Sequence, residues 1–533
     1  MNRAAPFVLA VVLVLAVSAG VRFFHLGTPR SLVFDEVYYA KDAKTILKGR
    51  VGATDKAFPW EPGKEVSWPH PEWGKQTIAV GILLFGDNAF GRRFMSALAG
   101  LALLAVVYPL ARRLGLARPW ALAALVLAAA DTLGIAQSRI TTLDVFVALW
   151  SVVCVWLALR YAQSGRRRSD LLLCGVAAGL ALGTKWSGAL ALGAALVVLL
   201  LFREPLGGET ARERARRAGR AALWPLALLV ALPVALYVAG YWQYFVAGHT
   251  WSQWWELQRQ MVTFNFGLHA THTYASHAPT WILDLRPVWY YFDGKGGVDH
   301  GIVAIGNPLL WWAATAALLV TPVVALVKRR RGLVVAPLLV AVLYFPWFAT
   351  GRTSFLYYMT PVAPLLAVLV ASALAALSGA AVDPFAAPDL GGDGAHARGA
   401  DVGEPLTPSS RPSWVVSAAL FAGGLLLAAL LWYQVAELAR LLFWTLPGRV
   451  IPLGHAHGAF VGSWLGLAVG VGLATLGVVL LLGAPHLQRL RGRLAWLYVG
   501  IVAGWAIAYL PIVVDIGISP ERFYRLMWFS NWI

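Results

Sequence analysis

Apolar stretches long enough to cross a bilayer recur from one end of this 533-residue chain to the other, and no polar block between them is long enough to fold as a separate body. A membrane-spanning helix needs about 17 to 25 mostly apolar residues. Thirteen segments meet that rule in whole or in part: 6–24, 94–111, 119–136, 140–159, 171–184, 187–202, 222–245, 306–327, 333–349, 355–378, 413–436, 458–482 and 494–514. Lys185 interrupts what otherwise reads as one run over 171–202, so the reading is eleven to thirteen spans. Only 13% of residues are charged, against about 25% in soluble domains, which excludes a single water-soluble domain. The fold class expected is an all-α polytopic membrane protein.

The formal charge of +18 would point to nucleic acid in a soluble protein. Here the basic residues sit in short runs between apolar segments, the pattern that sets membrane topology. With a cytoplasmic N-terminus, one side of the membrane receives 21 of them: Arg3, Arg112, Arg113, Arg118, Arg160, Arg166 to Arg168, the cluster from Arg203 to Arg220, Lys328 to Arg331, Arg489, Arg491 and Arg493. The opposite turns hold seven: Arg139, Lys185, Arg352, Arg440, Arg449, Arg522 and Arg525. With functional-looking sequence and more spans following it, 1–24 reads as an uncleaved first span rather than a signal peptide, consistent with that parity. The parity places 25–93 and 246–305 outside as two long loops, separated by the spans of 94–245. The spans of 306–378 follow, then a Gly, Pro, Asp and Ala-rich cytoplasmic loop at 379–412 that reads as disordered, the last spans of 413–514, and an outer tail at 515–533. Two cysteines, Cys154 and Cys174, both lie in apolar runs and are too few for a disulfide framework or a thiolate metal site.

Residues able to do chemistry gather in the outer segments. Phe34-Asp35-Glu36-Val37 places two adjacent carboxylates just past the first span. A carboxylate at headgroup level can take a proton from a hydroxyl arriving from the water side. It can equally be the acidic first turn of an amphipathic helix. His70-Pro71-Glu72-Trp73-Gly74-Lys75, the apolar 76–86 and Phe90-Gly91-Arg92-Arg93 read as a loop folding back on the membrane to present His70, Lys75 and Arg93 to an anion. The alternative is interfacial anchoring by Lys75, Arg92 and Arg93. Asp131, Arg139, Asp144 and Lys185 are ionisable residues in or at the ends of spans, where charge is costly enough to make each a functional candidate. Mutual ion pairing that serves helix packing is the other account of them. The second outer loop is rich in Trp and carries His269, His272 and His277, whose irregular spacing matches no zinc pattern, so no metal is expected. Its aromatics can stack on sugar or grip an extended peptide, or form an interfacial belt.

Taken in order, these motifs resemble the protein O-mannosyltransferases over nearly the whole chain. The resemblance rests on Phe34-Asp35-Glu36-Val37 with Ala40-Lys41-Asp42-Ala43, on His70-Pro71-Glu72-Trp73-Gly74-Lys75, and on Phe90-Gly91-Arg92-Arg93. It continues through Gln137-Ser138-Arg139 with Leu143-Asp144, Thr184-Lys185-Trp186-Ser187-Gly188, Tyr274-Ala275-Ser276 before Arg286-Pro287-Val288-Trp289-Tyr290-Tyr291, and Arg352 before Phe355-Leu356-Tyr357-Tyr358. Glu72 and Trp73 stand where the family's motif has Pro and Leu. The segment 246–305 is too short for the β-rich domain of eukaryotic members, so the chain looks like a bacterial, actinobacterial-type form.

The resemblance implies a lipid-carrier-dependent glycosyltransferase fold of the GT-C type in the plasma membrane, with an extracytoplasmic active site. It implies transfer of mannose, with inversion, from polyprenyl-phosphate-mannose to Ser or Thr hydroxyls of secreted proteins, with no cofactor and possible delivery of acceptors by the translocon. Asp35 would be the general base and Glu36 would pair with Arg93. From their position at external span ends, Lys185, Arg139 and Arg352 are candidates to meet the lipid phosphate, with Asp144, His70 and Lys75 shaping that site. Tyr274, Ser276, Arg286 and Trp289 are expected to contact acceptor or sugar. The competing readings are another lipid-linked-sugar transferase acting on lipid or polysaccharide, such as an arabinosyl or aminoarabinosyl transferase, and, from a different class, a transporter or flippase. A pure scaffold would not need Asp131, Arg139 and Asp144 near the membrane.

Overall fold

The computed structural model describes residues 5–47, 69–202, 224–225, 227–268, 270–294, 296–327, 329–385 and 488–533. The expected spans at 413–436 and 458–482, most of the 379–412 loop, the Arg203–Arg220 cluster, Lys328 and His269 lie outside those residues. The first helices in chain order are α1 (Ala5–Phe23), α2 (Glu36–Leu47), α3 (Trp73–Phe85), α4 (Ala89–Arg113), α5 (Arg118–Ala129), α6 (Thr132–Gln137), α7 (Asp144–Gln163), α8 (Arg168–Leu182) and α9 (Ala189–Leu201). Among the described residues six helices are long and apolar enough to cross a membrane, and five shorter apolar helices accompany them. The protein is a multi-pass membrane protein built as a helical bundle. The described strand structure is one antiparallel hairpin, β1 (Val288–Asp293) with β2 (His300–Ala304).

Packing follows the small residues. Gly175 and Gly179 on α8 face the helical stretch 227–240 so closely that a Cβ on Gly175 would lie 1.9 Å from the Leu228 carbonyl oxygen and one on Gly179 2.8 Å from Leu236. Such small-xxx-small faces let backbones approach in a membrane, where apolar burial alone gives helices no reason to associate. α7 packs on α8 with Cys154 and Cys174 facing each other, both free and buried, their Sγ atoms 3.5 Å apart.

Three segments differ from the sequence-based expectation. The run over 76–86 is a helix, α3, and no loop; its last turn closes at Gly86, with φ of 82°. The expected span 119–136 is broken at Asp131, whose side chain accepts from the Gly134 N–H at 3.0 Å and so starts α6 as a separate helix, a competition between side chain and backbone that aspartate favours. The expected span 355–378 opens with a short 3-10 turn, Leu356–Met359, and becomes α-helical only at Ala363. That irregular turn holds Tyr357 and Tyr358 at the end of the bundle where the long loops meet: Phe34 lies 4.7 Å, ring to ring, from Tyr290 of the second loop and 5.7 Å from Tyr357.

Candidate active site

Two neighbouring carboxylates at this end have opposite surroundings. Glu36 is buried, its Oε1 accepting from Arg93 Nε at 2.7 Å and its Oε2 from Arg93 NH2 at 2.8 Å. It also accepts from the backbone N–H groups of Val33 and Thr141, at 3.0 and 2.9 Å. The remaining guanidinium donors reach the carbonyl oxygens of Leu26, Thr28, Pro29 and Ser31 at 2.8–3.2 Å. Arg93 and Glu36 thus tie α4, the turn 26–36 and the 139–143 turn into one saturated knot. A bidentate, charge-assisted pair of this kind is among the stronger polar contacts a protein makes.

Asp35 has no such partners. It is half-buried, and among the described residues no side chain hydrogen-bonds to its carboxyl group. The preceding residue, Phe34, has a φ of 46°, a left-handed conformation that a bulky side chain adopts only when its surroundings impose it. Here the rings of Tyr290, Tyr357 and His272 surround Phe34. Burial pushes the Asp35 carboxyl up to about 7, Lys185 opposing and Asp144 adding to the shift. A carboxylate poised near neutrality suits a general base.

Around it lie the other charges. Lys185 Nζ donates to both oxygens of Asp144, at 2.9 and 3.0 Å, and sits 4.6 Å above the Tyr358 ring. Asp144 begins α7 and Lys185 occupies the turn between α8 and α9, so helix packing brings together residues 41 apart. Arg352 donates through NH1 to Asn265 at 2.6 Å, while its buried Nε has no partner. His70 stacks obliquely on Tyr39, with ring centroids 6.1 Å apart. Burial holds its imidazole well below the usual range, and Lys185, Lys75 and Arg352 push it in the same direction. Asp35, Asp144, Lys185, His70 and Arg352 therefore form one cluster walled by Tyr39, Tyr290, Tyr357 and Tyr358, all buried. A lipid phosphate would find cationic donors here, and a hydroxyl would find a base.

Of the other candidates, Lys75 reaches the edge of the cluster beside His70 but is tied to acidic partners, and the rest are held by contacts elsewhere. Arg139 donates to the carbonyl oxygens of Val21, Arg22 and Phe24, at 2.7–2.9 Å, capping the end of α1. Lys75 is fully buried and paired with Glu72 at 2.7 Å, with Asp42 3.8 Å away. Asp131 accepts from Trp311 Nε1 at 2.8 Å and joins α6 to the helix Pro308–Val327. Ser276 Oγ accepts from Trp281 Nε1 at 3.0 Å, and Tyr274 lies against Arg286. Arg286 donates to Thr273 and Asn531, and Trp289 Nε1 donates to the Trp532 carbonyl at 2.7 Å, so both fasten the tail of the chain. Among the described residues no group of three or more His, Cys, Asp or Glu side chains is placed to hold a metal ion.

Sequence reasoning carries Tyr290, Tyr357 and Tyr358 only as motif positions without a role, and assigns none to Tyr39 or Asn265. Tyr357 and Tyr358 carry a signal in their position just after Arg352. Asn265 carries none, because its role depends on contacts with residues 87 and 196 positions away.

Two family models match in succession: Dolichyl-phosphate-mannose-protein mannosyltransferase over residues 65–258, and the C-terminal four TMM region of protein-O-mannosyltransferase over 250–381. A polyprenol-phosphate-mannose–protein mannosyltransferase of Mycolicibacterium smegmatis is 28% identical over 427 residues, 67% of this chain and 80% of that protein. An undecaprenyl phosphate-alpha-4-amino-4-deoxy-L-arabinose arabinosyl transferase of Pseudomonas paraeruginosa is 35% identical, but over 40% of this chain and 38% of its own length. In fold the chain is similar to the Saccharomyces cerevisiae Pmt1-Pmt2 complex bound to the sugar donor, with a TM-score of 0.66, 13% identity and coverage of 99% of this chain and 93% of that one. That likeness speaks to the GT-C fold alone.

Proposed function

The chain belongs to the protein O-mannosyltransferase family, and on that premise we propose that it transfers mannose from polyprenyl-phosphate-mannose to Ser or Thr hydroxyls of secreted proteins. The observation that carries the mechanism is the unpartnered Asp35 carboxyl beside the Lys185–Asp144 pair and the free Arg352 Nε. Asp35 takes the proton of the acceptor hydroxyl as its oxygen attacks the anomeric carbon. The bond from that carbon to the phosphate oxygen breaks, and the electron pair leaves on the lipid phosphate. Inversion needs one base and no covalent sugar intermediate, whereas a retaining enzyme needs a second carboxylate as nucleophile. In this cluster the second carboxylate, Asp144, is held by Lys185, in keeping with a single reactive base. Arg352 and Lys185 stabilise the charge that develops on the phosphate, the task for which preorganised donors are most effective.

In this reading the N-terminus is cytoplasmic and the cluster faces the outside, as the asymmetry of 21 against seven basic residues supports. A Ser31→Cys variant without the native cysteines would then react with a membrane-impermeant maleimide in intact cells; protection from it would reverse the orientation. Extended segments leaving the translocon are the acceptors that fit a site at this level.

The direct test is transfer from radiolabelled polyprenyl-phosphate-mannose to a Thr-rich peptide in membranes, comparing wild type with Asp35→Asn. Wild type labels the peptide and the variant binds donor without labelling it. A wild type that binds donor but labels only lipid or polysaccharide would move the assignment to that class of acceptor.

A further inference from the structure

The two least satisfied polar side chains around Asp35, His70 and Arg352, sit on loops far apart in sequence, and one side chain joins those loops. Asn265 lies near the end of the helix Trp251–Gly267. Its Oδ1 accepts from Arg352 NH1 at 2.6 Å, and its Nδ2 donates to the Pro69 carbonyl at 3.1 Å and to the Met261 carbonyl of its own helix at 2.9 Å. The chemistry fixes the orientation of the amide, since a guanidinium needs an acceptor and a carbonyl needs a donor. Pro69 precedes His70, and three residues beyond His70 the Trp73 N–H donates to the Gly183 carbonyl at 3.0 Å. His70 is therefore held between two anchors, one of which is Asn265.

The helix is itself seated at the cluster's edge. Gln258 accepts from Tyr237 and Met261 from Tyr241, and Trp254, Leu257 and Met261 are buried against those tyrosines. The Arg352 loop is joined to the segment that follows the helix: Thr353 N–H donates to the Leu268 carbonyl at 3.0 Å, and Ser354 Oγ to the Ser276 carbonyl at 2.9 Å. These contacts fix the loop's backbone. The side-chain contact that orients the guanidinium is Asn265, and it leaves the buried Nε without a partner. A buried cationic donor held open in this way implies an acceptor that arrives with the ligand.

We propose that Asn265 is a positioning residue of the donor site, holding the His70 and Arg352 loops in register so that Arg352 Nε and the His70 ring engage the phosphate of a polyprenyl phosphate. The identity of that ligand rests on the mannosyltransferase reading; the bridge itself does not. Losing a neutral contact to a charged group that must stay oriented weakens binding by about tenfold.

The experiment uses the purified full chain in nanodiscs and two separate readouts: binding of sugar-free undecaprenyl phosphate, and steady-state transfer from the mannosylated donor. Asn265→Ala raises the Kd for undecaprenyl phosphate and the donor KM by about tenfold and lowers kcat less than Arg352→Ala does. In an Arg352→Ala background the same change adds clearly less than tenfold, because one of the two contacts it removes, that to Arg352, is already gone and only the one to Pro69 remains. Asn265→Asp has the same shape, keeps an acceptor for Arg352, loses the donor to Pro69 and neutralises the cation, so it binds the lipid phosphate more weakly than Asn265→Ala. Unchanged Kd in the Asp variant, an effect on kcat alone, or full additivity with Arg352→Ala would each overturn the proposal. Wild type that binds undecaprenyl phosphate with these dependences but transfers no mannose would overturn the transfer reading and leave the positioning role standing.

Discussion

Asp35 and Glu36 are adjacent in the chain, yet they belong to regions built on opposite plans. Glu36 sits in the knot at the base of the first loop, where both its oxygens and the terminal nitrogens of Arg93 are hydrogen-bonded. Asp35 sits in the cluster above, where its own carboxyl, the His70 ring and Arg352 Nε have no hydrogen-bond partner among the described residues. In a low-dielectric setting a saturated ionic network holds shape, and an unsaturated one is costly to maintain unless something binds there. On the proposed function, the saturated region builds the site and the unsaturated one works in it. The strained Phe34 is the hinge between them, turning one carboxylate into the fold and the next into the cluster.

The sharpest way to break that contrast is to make the same isosteric change at both positions. Asp35→Asn removes a general base and is expected to lower the transfer rate by about 10²- to 10⁴-fold, with the thermal melt of the purified protein unchanged. Glu36→Gln leaves Arg93 buried without a counter-charge and is expected to cost about 3 to 5 kcal/mol of stability, seen as a lowered melting temperature and loss of folded protein from membranes. If Glu36→Gln melts like wild type while activity alone falls, Glu36 belongs with Asp35 and the division between the two regions is wrong.

Much of this arrangement is legible in the sequence, and the reason for the remainder is geometric. The spans are written in long apolar runs, and a pair of carboxylates after the first span marks the end where the charged cluster lies. Which of the two is left without a partner is not written locally, because Arg93 lies 57 residues from Glu36. Charge and position make Arg139 look like a phosphate ligand, but the open carbonyls at the end of α1 are an equally good partner for a guanidinium and lie nearer. Trp289 and Arg286 read as sugar contacts from their type, whereas the tail that covers them is over 240 residues away. α3 escapes a local reading because an apolar run of this length after Pro and Gly reads as readily as a loop. Short-range patterns reveal elements and long-range partners decide roles.

The raised Asp35 pKa gives the contrast a dependence on pH. A base works in its ionised form, so with its pKa near 7 kcat/KM should fall about tenfold for each pH unit below that value and level off above it. A profile flat from pH 5 to 8 would mean that Asp35 is ionised at an ordinary carboxylate pKa and that the cluster does not tune it. Lys185 is the larger of the two opposing neighbours and lowers the Asp35 pKa, while Asp144 raises it. Removing both together, as Asp144→Asn with Lys185→Met, leaves no unpaired charge behind. The inflection in the residual activity should move to higher pH. A shift to lower pH would make Asp144 the dominant neighbour.

The smallest effect separates the tail clamp from the cluster. Trp289→Phe removes one hydrogen bond, the 2.7 Å contact to the Trp532 carbonyl, and keeps the ring that packs on Phe523. A single hydrogen bond of this kind contributes about 1 kcal/mol, so the melting temperature should drop slightly while donor and acceptor KM stay at their wild-type values. The reverse result, a normal melt with a raised acceptor KM, would place Trp289 in the peptide path. It would also show that the second loop, which already supplies Tyr290 to the wall around Asp35, reaches the acceptor through the strand that its tail contacts hold down.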